Sequence, residues 1–336
     1  MSEIYAFAIG LTRTDARGNT LDCYFPAPWK IPDAALAGLI TSHFEPGTHP
    51  AEGPQLDAFL QGLDDQLAGP IRALQKADRT LTSVRLDKDG PIESVPEAYL
   101  KLHLLSHRLA LPNSQNLDNI FAHLPNVAWT SDGPFSTDEI DAAMLRARVE
   151  GRPLEVFSVD KFPKMTNYVI PGGVRIADAS RVRLGAYLGE GTTVMHEGQV
   201  NFNSGALGPG MIEGRISQGV TVGAHSDLGG SSSTMGTLSG GGEIVISIGE
   251  HCLIGANAGT GIPLGDRCTI AAGVYITAGT PIMLLDETGT EVSRVKAREL
   301  AGGSDLLFIQ NGSNGQIECR TNRKAIALNE QLHAHN

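Results

Sequence analysis

Residues 170–200 read IPGGVRIADASRVRLGAYLGEGTTVMHEGQV, and every sixth residue in the stretch is aliphatic: Ile170, Ile176, Val182, Leu188, Val194 and Val200. The beat returns at Ile216, Val222 and Leu228, at Ile248 and Ile254, and at Leu264, Ile270, Ile276 and Ile282. Helical periodicity near 3.6 and strand alternation at 2 do not keep one residue in six apolar over so long a run, whereas a triangular coil of three short strands does. Each hexad is one face, and three hexads make one turn of a parallel β-helix. Gly follows the aliphatic residue at Gly189, Gly223, Gly249, Gly255 and Gly265, which reads as a corner residue free to take positive φ.

The rest of the 336-residue chain is organised around that solenoid. Nine of the 40 glycines lie in residues 1–150 and 31 in residues 151–336, separating an ordinary front half from a corner-rich back half. The spacing predicts strands at IYAFAIGLT and TLDCYF. It predicts helices from Pro32-Asp33 through Ile40, over 55–67 (Leu56, Phe59, Leu60 and Leu63 on one face), from Pro96 to Leu109, and from a Thr137 cap to Arg148. Two interruptions break the hexads, NFNSGALGPGMIEGR at 201–215 and GGSSSTMGTLSGGGE at 229–243. In a solenoid such insertions loop out of the faces and commonly bind ligands. After Ile282 the beat stops, and MLLDETGTEVSRVKA with DLLFIQNGSNGQIECRT reads as short strands that cap the coil. The expected organisation is a mixed α/β domain over 1–150, a β-helix over 151–285 and a β cap over 286–336.

Composition narrows the function classes. A net charge of −11 argues against nucleic acid, whose binding is dominated by Lys and Arg. The acidic, briefly apolar start MSEIYAFAIGLT is unlike a signal peptide, and no window approaches the roughly 20 apolar residues of a membrane span. Cys23, Cys252, Cys268 and Cys319 lack any C-x-x-C spacing, as reduced thiols in a cytoplasmic protein would.

The strings VMHEGQVNFNSGALGPGMIEGRIS, SDLGGSSSTMGTLSGGGE and CLIGANAGTGIPLGDRC resemble the longer-chain branch of the tetrahydrodipicolinate N-succinyltransferase family. EAYLKLHLLSHRL and LPNVAWT carry the resemblance into the front half. It implies a left-handed β-helix with hexapeptide repeats, a homotrimer and transfer of succinyl from succinyl-CoA to the amino group of 2-amino-6-oxopimelate in lysine and diaminopimelate biosynthesis. The left hand comes from the resemblance alone, since crossover rules favour right-handed connections.

Transfer of an acyl group from a thioester to an amine needs a neutral amine, a polarised carbonyl and close approach. The resemblance implies Glu213 as the catalytic carboxylate, acting as general base or acyl-anhydride nucleophile; the base is the simpler role, because an amine attacks a thioester directly. Arg215 suits a substrate carboxylate, against the bland reading of a Glu213–Arg215 salt bridge. Gly230, Ser233, Ala256, Ala272, Gly279 and Lys296 are implied to line the coenzyme A site. Ala271 and Ile309-Gln310 depart from the family's Glu and Arg-Arg within that site, and the donor is open there. Beside His196, Glu197 is implied at a magnesium site on the trimer axis, where some relatives carry an Asp and this chain has Ser180.

Three alternatives compete. One is a related acyltransferase using another acyl-CoA or amine. Another is a solenoid serving only as a binding surface. The third is a zinc enzyme using His196, His225 and His251, whose steps of 29 and 26 residues do not match a coil of roughly 18 residues.

Overall fold

The sixfold beat becomes three faces of a left-handed parallel β-helix. One face stacks Ile176, Val194, Ile212, Leu228, Ile254, Ile270 and Phe308 in register through successive coils. The next carries Val182, Val200 and Ile216, then Thr234, Thr260 and Ile276. Leu188, Ala206, Val222, Ile248 and Leu264 make the third. These side chains point inward and are nearly all fully buried, each burial contributing about 1.5–3 kcal/mol for the larger aliphatics. Ile170, read as the first beat, is instead 75% exposed and stands outside the stack.

The computed structural model describes residues 4–236 and 245–321, in two compact units. Within the solenoid unit, the stretch 201–215 proves not to be an insertion. Its strands Ser204–Ala206, Gly210–Ile212 and Arg215–Ile216 continue all three faces, with Ala206 and Ile212 on the beat. The second interruption is genuine but begins later, because Ser233–Thr234 is still a coil strand. Its residues 237–244 lie outside the described residues.

The glycine that follows the aliphatic is not the residue with positive φ. That conformation falls three positions after the aliphatic, at Gly191, His225, Ser231, His251, Asn257 and Arg267 among others. The earlier glycine is required by closeness of the coils: a Cβ on Gly223 would lie 2.6 Å from the backbone of Gly249, and one on Gly249 2.5 Å from that of Gly265.

Past the last coil, Leu306–Gln310 pairs in parallel with Thr269–Ile270 and so adds a strand to one solenoid face. Ile317–Thr321, Pro281–Leu285 and Glu291–Lys296 follow on the same sheet.

The other unit comprises residues 4–110, 114–163 and 167–169. Its larger sheet runs Thr20–Tyr24, Ala6–Thr14, Leu81–Leu86, Gly47–Pro50, all antiparallel, with Trp29–Lys30 also on Ala6–Thr14. Phe7, Phe44 and Phe59 meet over it with ring centroids 5.1–5.7 Å apart. Asp33 caps the helix Ala34–His43, as its position before the apolar run predicts. The helix expected over 55–67 is two, Gly53–Gln61 and Asp65–Leu74, because Asp64 caps a second start. Likewise the helix expected from Thr137 begins at Ile140, without a side-chain cap.

The helix Val95–Ser106 is buried along almost its whole length. Its one lysine, Lys101, is satisfied by Asp89 at 2.7 Å and the carbonyls of Gly90 and Asn116. The strand Val156–Asp160, expected within the solenoid domain, pairs instead with Val127–Thr130 in this unit.

Candidate active site

One corner of the solenoid is cut short. Between the face strands Val194–Gln199 and Leu228–Ser233 the chain spends four corner residues, but between Ile212 and Arg215 only Glu213 and Gly214, although all three corners join the same two faces. The short corner is held from the next coil, where Glu213 N–H donates to Leu228 O and Arg215 N–H to Ser232 O, both at 2.8 Å. Gly214 sits so tightly on that coil that a Cβ would fall 2.1 Å from the Ser232 hydroxyl.

The truncation brings two carboxylates to one place. A methyl on Gly230 would stand 3.6 Å from Oε2 of Glu213 and 3.7 Å from Oε2 of Glu197. Glu197 is exposed and is oriented by the Ser231 hydroxyl, which donates to the same Oε2 at 3.1 Å. Glu213 is half-buried.

Arg215 leaves the corner on the other side, and the salt bridge to Glu213 is not formed. Its Nε and Nη2 both donate to Ser233 Oγ, at 3.2 and 3.0 Å, and among the described residues it has no carboxylate partner. A cation is thus fixed by a neutral hydroxyl, with its charge available to an anion.

Residues implied for coenzyme A fall mainly in one row. The register Leu228, Ile254, Ile270, Phe308 places Gly230, Ala256, Ala272 and Gln310 at equivalent positions of successive levels. Ala256, Ala272 and Gln310 are exposed, and the small residues leave that edge of the solenoid open. Ala271 and Ile309 immediately precede this row, joined by the bond from Ala271 N–H to Phe308 O at 2.9 Å. Pairing of Pro281 with Lys296 sets the exposed Lys296 beside the segment that carries Gly279. Ser233 does not join the row, since its hydroxyl faces Arg215.

The histidines depart from their sequence spacing. His225 and His251 are stacked on neighbouring coils, with centroids 5.0 Å apart and planes 13° from parallel, because Leu228 pairs directly with Ile254, which makes residues 26 apart in sequence neighbours there. Parallel faces do not chelate, and His196 lies on another corner. Among the described residues no three His, Cys, Asp or Glu side chains gather in a metal-binding group.

Sequence reasoning does not reach Ser231, Gly214 and Thr234. The available signal is a step of four, Ile212 to Ile216, in a beat of six. Taking 201–215 as an insertion hides it, because Ala206 and Ile212 then drop out of the count.

Comparisons with known proteins agree in kind. Residues 245–278 match the hexapeptide repeat of succinyl-transferases, and residues 124–164 match the middle region of tetrahydrodipicolinate N-succinyltransferases. The chain is 62% identical to a 2,3,4,5-tetrahydropyridine-2,6-dicarboxylate N-succinyltransferase of Pseudomonas aeruginosa and 54% identical to one of Pseudomonas putida, over 99% of each chain. A Vibrio cholerae protein so named is 50% identical over 98% of this chain and 99% of its own. Among solved structures, a Campylobacter jejuni 2,3,4,5-tetrahydropyridine-2-carboxylate N-succinyltransferase superposes with a TM-score of 0.88 at 31% identity, covering 97% of this chain and 94% of that one.

Proposed function

The chain belongs to the tetrahydrodipicolinate N-succinyltransferase family, and we propose that its two-residue corner is the place where acyl transfer happens. The protein is an acyltransferase that moves the succinyl group of succinyl-CoA to the amino group of L-2-amino-6-oxopimelate, the ring-opened hydrate of tetrahydrodipicolinate, in lysine and diaminopimelate biosynthesis.

In the proposed mechanism Glu213 takes a proton from the acceptor ammonium, whose approach is favoured by two carboxylates facing Gly230. The freed amine attacks the thioester carbonyl, a C–N bond forms, the C–S bond breaks, and the coenzyme A thiolate leaves and takes up the second proton that the nitrogen sheds as it becomes an amide. Arg215 holds an acceptor carboxylate. Oxyanion donors come from backbone N–H groups other than those of Glu213 and Arg215, which are already engaged on the next coil. The row Gly230, Ala256, Ala272, Gln310, with Ala271 and Ile309 behind it, takes the pantetheine arm. Gly279 and Lys296 take the anionic end of the donor.

The observation that carries this reading is the convergence of Glu213 and Glu197 on Gly230, with Arg215 across the shortened corner. The reading extends to a homotrimer in which a neighbouring copy covers the exposed Arg215 and Glu197, and to a cytoplasmic enzyme, which four free buried thiols suit. Among the described residues no helix is long and apolar enough to cross a membrane.

Magnesium fits one chain poorly. Glu197 Oε2 already accepts from Ser231, and the Ser180 hydroxyl is turned onto Asp178 at 2.6 Å, so a hard-cation site would depend on three copies of Glu197. No step runs through it.

Free thiol release with 2-aminopimelate as acceptor tests the donor. Release with succinyl-CoA and little with acetyl-CoA is expected. The reverse preference would contradict the assignment and point to Ala271 and Ile309-Gln310 as donor switches.

A further inference from the structure

We infer that Ser233 is a positioning residue for Arg215, occupying the side edge of the guanidinium so that the outer pair of N–H groups at its end is presented to a carboxylate of the amine acceptor. This rests on the reading of Arg215 given above.

Arginine offers five N–H donors in a planar fork. The two that Ser233 accepts, on Nε and Nη2, form the side edge of that fork. Three donors remain, and among them the outer Nη1 and Nη2 groups are parallel and spaced for bidentate contact with a carboxylate. A hydroxyl oxygen has two lone pairs and so accepts both side-edge bonds without neutralising the cation. A carboxylate at position 233 would have spent the charge, and a methyl would have left the guanidinium free to rotate.

Ser233 is itself held firmly. It is only 9% exposed, its N–H donates to Ala258 O at 2.9 Å, and its strand pairs with Gly259–Thr260 on the following coil. The next residue fixes the backbone of the same arginine. Thr234 Oγ1 donates to Arg215 O at 3.1 Å and accepts from Ser217 N–H at 3.0 Å, while Ser217 Oγ donates to Thr234 O at 2.6 Å. Ser233 therefore sets the side chain of Arg215 while Thr234 sets its main chain. The resemblance places Ser233 in the coenzyme A site; the geometry assigns its hydroxyl to the acceptor side.

The test is a double-mutant cycle on the full-length protein with succinyl-CoA and 2-aminopimelate, comparing wild type, Ser233→Ala, Arg215→Ala and the double variant. Ser233→Ala is expected to raise the acceptor KM about 10-fold, with kcat and the succinyl-CoA KM changed less than about twofold. In the Arg215→Ala background it should add nothing, because the residue acts only through that side chain. Ser233→Thr, which keeps the hydroxyl, should restore the acceptor KM.

A rise in the succinyl-CoA KM instead, an unchanged acceptor KM, or a full additional loss on top of Arg215→Ala would overturn the inference. If Arg215→Ala itself leaves the acceptor KM unaltered, the acceptor role of Arg215 fails first, which distinguishes the two failures.

Discussion

Glu197 and Glu213, sixteen positions apart in sequence, direct their Oε2 atoms at the same face of Gly230, one from a four-residue corner and the other from a two-residue corner. Two negative groups around an open point suit a cationic nitrogen, the protonated form of the acceptor amine. Removal of its proton is what the reaction first requires.

Gly230→Ala probes that gap. The backbone there is not left-handed and the added methyl would meet only ordinary van der Waals contacts, at 3.6 and 3.7 Å. Thermal stability should stay within about 0.5 kcal/mol of wild type, while kcat/KM for the acceptor falls at least about 10-fold as the methyl displaces the amine. Unchanged kinetics would move the amine elsewhere.

Gly214→Ala should do the opposite and act through folding. Its Cβ would fall 2.1 Å from Ser232 Oγ and 2.6 Å from Ser232 O, where backbone cannot yield cheaply. A destabilisation of about 1–3 kcal/mol, the usual scale of overpacking, is expected in chemical denaturation.

The choice between base and nucleophile is open to rapid mixing. With Glu213 as base, enzyme and succinyl-CoA without acceptor release no stoichiometric burst of thiol. An acyl-anhydride at Glu213 would release one equivalent before any acceptor is added.

Acid should weaken the α/β unit through His103. Burial, first of all, lowers its pKa from 6.5 to about 3. The bonding agrees, for Nδ1 pairs with Tyr99 O at 2.7 Å and Nε2 accepts from Phe25 N–H at 3.3 Å, leaving no place for a second ring proton. The unfolded chain thus binds a proton below pH 6.5 that the folded chain refuses until about pH 3, so stability is lost as pH falls through that window, by up to about 1.4 kcal/mol per unit. Desolvation lowers His107 too. Asp22, raised chiefly by burial, works in the other sense, its contribution being lost as pH rises. Denaturation midpoints from pH 7.5 to 4.5 should fall, and the slope should flatten in His103→Gln.

Much of the fold is legible in the amino-acid sequence alone. One aliphatic residue in six names the solenoid because a coil face repeats at that period, and Asp33 before an apolar run marks a helix start because a free carboxylate satisfies the first N–H groups. The two-residue corner is not legible, since it is a deficit, visible only once Ala206 and Ile212 are counted as inward-facing. Thr234 and Thr260 hide in the same way, being polar residues at buried positions. Nor can spacing foresee that Ser233 faces Arg215, or that His225 and His251, 26 residues apart, stack on successive coils.

Glu213→Gln tests the central claim most directly. The amide keeps size and backbone contacts but cannot accept a proton, so turnover of succinyl-CoA with 2-aminopimelate should drop at least about 100-fold, with coenzyme A affinity and thermal stability unchanged. Turnover near the wild-type rate in that variant would contradict the account and remove Glu213 from the chemistry.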